Sequence, residues 1–137
     1  MARWEHFAHA ADVGIRGFGA SVAQAFEQAA LAMTAVVCDL DTVRAREKVV
    51  LNCEAPDVEL LLADWLNQLI FEMSTRKMLF SRFVVEIEGS RLHGQAWGEP
   101  IDRSRHEPAV EIKGATYTAL CVRNWGGEWV AQTVLDV

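Results

Sequence analysis

Two aspartates near opposite ends of the chain, Asp12 and Asp136, are the residues whose surroundings most readily suggest chemistry. Asp12 lies in His9-Ala-Ala-Asp12-Val-Gly14, a run of small residues that can hold a His and an Asp in a fixed turn. Asp136 follows an apolar run containing Val130, Val134 and Leu135 and is followed by Val137. If that run docks as a strand, the Asp136 side chain and the carboxylate of Val137 stand within one residue of each other, and like charges so close call for a compensating cation. Strand pairing that brings Asp12 alongside would complete a set of hard oxygen donors. Such a set suits Ca²⁺ or Mg²⁺ rather than zinc, which prefers His and Cys. Plainer readings stay open at this level, since Asp12 can bond turn amides and a chain end can fray.

A second concentration is Asp102-Arg-Ser-Arg-His106-Glu107, a polar loop that gathers one His, two carboxylates and two guanidiniums. Such a loop is either a solvated connection or a binding element. Lys113, in Val110-Glu-Ile-Lys-Gly-Ala-Thr-Tyr117, shares the polar face of its segment with Glu111. Should that face meet the carboxylates, Lys113 becomes a mobile cation beside a metal or a phosphate. Cys38, Cys53 and Cys121 are odd in number, lack a C-x-x-C spacing and have apolar neighbours, so they read as small core residues of a reducing compartment. A G-x-x-x-x-G-K-[ST] loop, a G-x-S-x-G elbow, an H-E-x-x-H helix and a G-x-G-x-x-G fingerprint are all missing. Nucleotide hydrolysis by a known local motif therefore has no support.

The elements that must position these residues follow from periodicity. Residues 3 to 8 and 13 to 19 read as two short strands around a small-residue turn. Ser21-Val-Ala-Gln24 then opens a helix with a capping box. That helix runs to about Val37, with Val22, Ala25, Phe26, Ala29, Ala30, Met33, Val36 and Val37 on one face. From Val43 to Cys53 the period switches to two, a half-buried strand. Pro56 suits the first turn of a second helix, whose stripe is Val58, Leu61, Leu62, Trp65, Leu66, Leu69, Ile70 and Met73. Phe83 to Ile87 and Leu92 to Trp97, across Gly89-Ser90, read as one hairpin; Val110 to Val122 and Trp129 to Leu135, across Gly126-Gly127, read as another. The expected fold class is α+β: a single compact domain over residues 1–137, with a mixed or antiparallel sheet covered by two main amphipathic helices.

The 137 residues, 51% hydrophobic and 23% charged, fit one globular core and exclude a disordered chain. A formal charge of -6 has the wrong sign for a surface that grips a phosphate backbone, so strong direct nucleic-acid binding is not expected. Apolar stretches fall short of the roughly 18 residues a membrane helix needs, and Met-Ala-Arg-Trp-Glu-His is no secretory leader, so the expected location is cytoplasmic. Acid charge gathers in residues 54 to 72, which hold Glu54, Asp57, Glu59, Asp64 and Glu72 without Lys or Arg. This is either a solvated helix face or an acidic docking surface.

Taken in order, six blocks resemble the archease family: His9-Ala-Ala-Asp12-Val-Gly-Ile15, Glu59-Leu-Leu-Leu-Ala-Asp-Trp65-Leu-Asn67, Gly98-Glu99-Pro-Ile-Asp102, Arg105-His106-Glu107, Glu111-Ile-Lys113-Gly-Ala-Thr-Tyr117 and Leu135-Asp136-Val137. Two positions depart from the pattern: Ala10 replaces a Thr or Ser, and Thr118 stands where a His often follows. The resemblance implies a non-enzymatic activator of an RtcB-type RNA ligase, which joins a 2′,3′-cyclic phosphate or 3′-phosphate end to a 5′-hydroxyl with GTP and Mn²⁺ in tRNA splicing or RNA repair. It further implies that the activator promotes guanylation of the ligase's own histidine, and so its multiple turnover, meeting GTP only through the ligase. Carried over residue by residue, it puts a divalent cation, Ca²⁺ or Mg²⁺, on Asp12, Asp136 and Val137 and an essential lysine at Lys113. His9 and His106 fall in matching motifs as further activation or partner residues.

Two other function classes stay open from sequence. A metal-dependent hydrolase would use Asp12 and Asp136 to hold the ion and His9 or His106 as general base, and would turn over phosphoesters or nucleotides alone. A generic protein-binding or chaperone-like module would use the same polar cluster only structurally.

Overall fold

The computed structural model describes residues 2–137. A two-residue turn at Ala10-Ala11 joins β1 (Arg3–His9) to β2 (Asp12–Gly19), with Ala10 at a φ of 52°. The capping box then closes in a displaced form. Ser21 Oγ accepts from the Gln24 amide at 3.1 Å, and Gln24 Oε1 accepts from the Ala20 amide at 2.7 Å, one residue before the cap. The helix it opens, α1 (Val22–Val37), buries Ala25, Phe26, Ala29, Ala30 and Met33, the expected face. Strand β2 crosses α1 at Gly17, where a Cβ would run into Ala25 O and Ala29 N; only a glycine lets the two backbones approach so closely.

Next in chain order are β3 (Glu47–Glu54) and α2 (Val58–Arg76), then the long hairpin of β4 (Met78–Glu88) and β5 (Arg91–Pro100). A four-residue helix, α3 (Arg103–His106), leads to β6 (Gly114–Ala115) and to the hairpin of β7 (Cys121–Trp125) and β8 (Glu128–Asp136). The Gly89-Ser90 and Gly126-Gly127 turns fall where expected, each glycine at positive φ. Five strands form one sheet, in which β8 is hydrogen-bonded to β2, β6 and β7, and three form the other, ordered β3-β5-β4. All the pairings are antiparallel, so the mixed option falls away. Helix α1 packs on β2 and β4, bridging the two sheets, and α2 packs on β3, β4 and β6. The helices meet where the Trp65 indole donates to the Phe26 carbonyl at 3.2 Å.

Three element boundaries differ from the sequence expectation, each for a local reason. Helix α2 starts at Val58 with Asp57 as its cap, Oδ1 accepting from the Leu60 amide at 2.8 Å, so Pro56 precedes the helix instead of opening it. The alternating run from Val43 joins the sheet only at Glu47, because the Arg44 amide is taken by Glu99 Oε2 at 2.8 Å. The stretch from Val110 to Val122 is not one strand. It pairs at Gly114–Ala115, leaves the sheet through Ala119 at a φ of 56°, and returns as β7.

All three cysteines are free; Cys38 and Cys53 are buried and Cys121 partly so, as expected of core thiols. Burial, reinforced by the neighbouring Asp64 carboxylate, pushes the Cys53 thiol up to about 12.

Candidate functional site

Strand register brings the predicted carboxylates to one end of the five-stranded sheet. His9 pairs with Asp12 across the first turn, Val13 pairs with Leu135, and Asp136 pairs with Gly114. Asp12 and Asp136 are therefore the next residues outward on two adjacent strands, and His9, Asp12 and Asp136 form one row across β1, β2 and β8. Alternation along β2 fixes the face of the row. Ile15 and Gly17 turn toward α1, whereas Asp12, with Gly14, Arg16 and Phe18, belongs to the opposite face. That outer face carries cross-strand polar and cation–π contacts. The Arg16 guanidinium lies 4.1 Å from the Phe7 ring centre and donates to Gln132 Oε1 at 2.6 Å and Glu5 Oε1 at 3.2 Å.

Asp12 is half-buried, and His9 and Asp136 are exposed. Among the described residues, neither aspartate side chain has a cationic or hydrogen-bonding partner, unlike Glu5, Glu54, Glu72 and Glu99, which are all ion-paired. Lys113 joins this end of the sheet through its backbone, its amide donating to the Asp136 carbonyl at 2.8 Å. Val137 is half-buried and packs against the core. Among the described residues no group of three or more His, Cys, Asp and Glu side chains is arranged to hold a metal. The expected donor set supplies two such side chains, both hard oxygen donors, and the Val137 carboxylate would have to be the third.

His106 is placed elsewhere, in a buried network built on β5 of the other sheet. It is 3% exposed, and both ring nitrogens are engaged. The Asp102 amide donates to Nδ1 at 2.9 Å, which leaves the proton on Nε2, and Nε2 donates to Glu99 Oε2 at 2.9 Å. Arg105 grips the same carboxylate with both ends of its fork, Nη1 to Oε2 at 2.7 Å and Nη2 to Oε1 at 2.9 Å, and Nη1 also donates to the Thr42 carbonyl at 2.6 Å. Arg105 first, then the Arg44 amide and His106, holds the Glu99 carboxyl well below the usual carboxylate range against the opposing effect of burial. Asp102 caps α3 through the Ser104 hydroxyl and the Ser104 and Arg105 amides, and these bonds lower its carboxyl in turn. The loop that read as solvated or ligand-binding is thus a folded corner in which Arg105 and His106 are held by Glu99, while Arg103 has no ion pair among the described residues.

Two further residues position Lys113 and Asp136. Asn67 of α2 pairs with β6 as a neighbouring strand would: its Oδ1 accepts from the Ala115 amide at 2.9 Å and its Nδ2 donates to the Ala115 carbonyl at 3.1 Å. Glu59, two turns earlier, accepts from the Val122 amide of β7 at 3.2 Å. Neither Glu99 nor Asn67 stood out as functional in the sequence. An Asn in the middle of an apolar helical stripe is the one signal that was available, because it competes with the helix unless another element uses it. The acidic run of residues 54 to 72 is also internally engaged. Glu54 pairs with Arg91 and Glu72 with Arg76, Asp57 caps α2, Glu59 binds β7, and Asp64 lies within 3.5 Å of the Gln68 amide.

Among the described residues no helix is long and apolar enough to cross a membrane. The model of the "Archease protein family (MTH1598/TM1083)" matches residues 4–137. A protein archease from Pyrococcus abyssi is 37% identical over the full length of both chains. The solution structure of protein 1598 from Methanobacterium thermoautotrophicum superposes with a TM-score of 0.87 at 33% identity, covering 98% of each chain. A Thermotoga maritima crystal structure, described as an archease and possible chaperone, shares the fold with a TM-score of 0.66 at 20% identity over 97% of this chain and 96% of that one.

Proposed function

The chain belongs to the archease family, and from that premise we propose that it is an accessory protein, not a catalyst, that activates an RtcB-type RNA ligase in tRNA splicing or RNA repair. The observation that carries the reading is the row of His9, Asp12 and Asp136 at an open sheet end, with two carboxylates on adjacent strands and no cationic partner among the described residues. Repulsion between them favours a bound cation. Asp12, Asp136 and the carboxylate of Val137 would hold Ca²⁺ or Mg²⁺, which supplies positive charge for orienting phosphate oxygens at the partner's active site. Lys113, tethered to Asp136 through its backbone, holds a second positive charge beside the first and meets an anionic group of the ligase or of its GTP. His9 stands at the rim of the row for contact with the partner, while His106 acts from within the fold by fixing the corner that leads toward Lys113.

The test is multiple-turnover ligation with the chain added below the ligase concentration. Asp12→Ala and Asp136→Ala should each lose about tenfold or more of the stimulation, with unchanged circular dichroism and with loss of Ca²⁺ or Mg²⁺ binding by calorimetry. Full stimulation by both variants overturns the cation's role, and phosphoester turnover by the purified chain without ligase would favour a hydrolase instead.

A further inference from the structure

Beyond the sheet end, a groove of about 780 Å³ lies between α2 and the segment that runs from α3 to β6. Apolar side chains on its walls include Ile70 and Phe71 from α2 and Val110 and Ile112 from the facing segment. Phe71 is 64% exposed and Val110 is 40% exposed, although folding normally covers side chains of this size. The rim has the opposite sign to the chain. In a protein of net charge -6, Lys77, Arg103 and Lys113 stand around the groove against one carboxylate, Glu111. Among the described residues none of these three cations has an ion pair, whereas Arg3, Arg16, Arg76, Arg91 and Arg105 all do.

We propose that this groove docks an acidic amphipathic helix of a partner protein, its apolar residues seated on Phe71 and Val110 and its carboxylates facing Lys77, Arg103 and Lys113. The exposed apolar side chains favour a peptide over a polyphosphate or RNA, which would leave Phe71 and Val110 wet. The groove shares Lys113 with the sheet end, so a docked helix would bring its parent protein alongside Asp136. That the parent is the ligase rests on the activator reading; that the groove takes such a helix does not.

The direct probe is a synthetic helical peptide with Leu and Phe at i, i+4 and i+7 and Glu at the flanking positions. Its controls are the same peptide with Lys for Glu and a single-stranded oligouridine. The full chain should bind the acidic peptide about tenfold more tightly than the Lys version, with amide shifts at Phe71, Val110 and Ile112. Phe71→Asp and the Lys77→Glu/Arg103→Glu pair should each weaken binding about tenfold while keeping the wild-type circular dichroism. Equal affinity for both peptides, preference for the oligouridine, no binding, or shifts elsewhere would overturn the proposal. In ligation assays Phe71→Asp should lower ligase affinity, whereas Asp12→Asn should spare affinity and lower stimulation. If the wild-type chain leaves ligation unstimulated, the activator reading falls while the peptide titration still decides the groove.

Discussion

Four donors converge on the Glu99 carboxylate: the Arg44 amide, both ends of the Arg105 fork and His106 Nε2. Replacing it by Gln leaves Arg105 without its counter-charge inside a half-closed corner. We expect Glu99→Gln to cost about 3 kcal/mol, toward the low end for a broken buried pair because Arg105 keeps some water contact. Thermal unfolding would read this as a fall of roughly 10 °C. The pH dependence has a definite sign. A carboxyl held below its ordinary value of 4.5 stabilises the fold fully above that pH, and the contribution drains away as the pH falls toward the folded-state value. The wild type should therefore lose more stability than Glu99→Gln when urea midpoints are compared between pH 6 and pH 3. This hub was hidden in the sequence because a lone Glu in a strand reads as solvent-facing. Its partners lie across Pro100 in a loop whose charges read as solvated for the same reason. That Asp12 and Asp136 come to adjacent strand positions was legible, because a small-residue turn on one side and an apolar strand on the other point to paired strands.

Element positions depend on side chains that stand in for missing strands. Asn67 occupies both polar groups of Ala115, so Asn67→Leu should cost about 1 to 2 kcal/mol and speed hydrogen exchange at the Ala115 amide while the core of α2 stays protected. At the open edge of β4, Glu27 does the same for the Val85 amide at 2.8 Å, and burial raises its carboxyl. Gly17→Ala should be costlier for its size than any exposed change. Its methyl group collides with the backbone of α1 and forces β2 outward, for about 2 kcal/mol in urea unfolding. Both long helices and the two glycine hairpins were legible because their apolar periods and turn residues agree. The path from Val110 to Val122 was not. Its alternation looks like one strand, while the side-chain pairing from α2 and the left-handed turn at Ala119 that cut it short leave no periodic trace.

For the molecule as a whole, the acid excess is spread over internal tasks rather than displayed as one patch, and three cations without an ion pair among the described residues, Lys77, Arg103 and Lys113, line the α2 groove. The α+β class followed from counting strands and helices, but their division into two antiparallel sheets under a shared helix could not be read from order alone. The ladder between β2 and β8 has a further consequence for how the chain reaches this state. Its Arg16–Gln132 contact joins residues 116 apart. Most of the chain must be drawn into a closed loop before the central pairing contributes anything, and the entropy of that closure sits in front of the folding barrier. Refolding followed by tryptophan fluorescence should accordingly take milliseconds to seconds, not the microseconds of a helical bundle of similar size. Weakening β8 should slow refolding only if its docking belongs to the nucleus; otherwise the change will appear as faster unfolding.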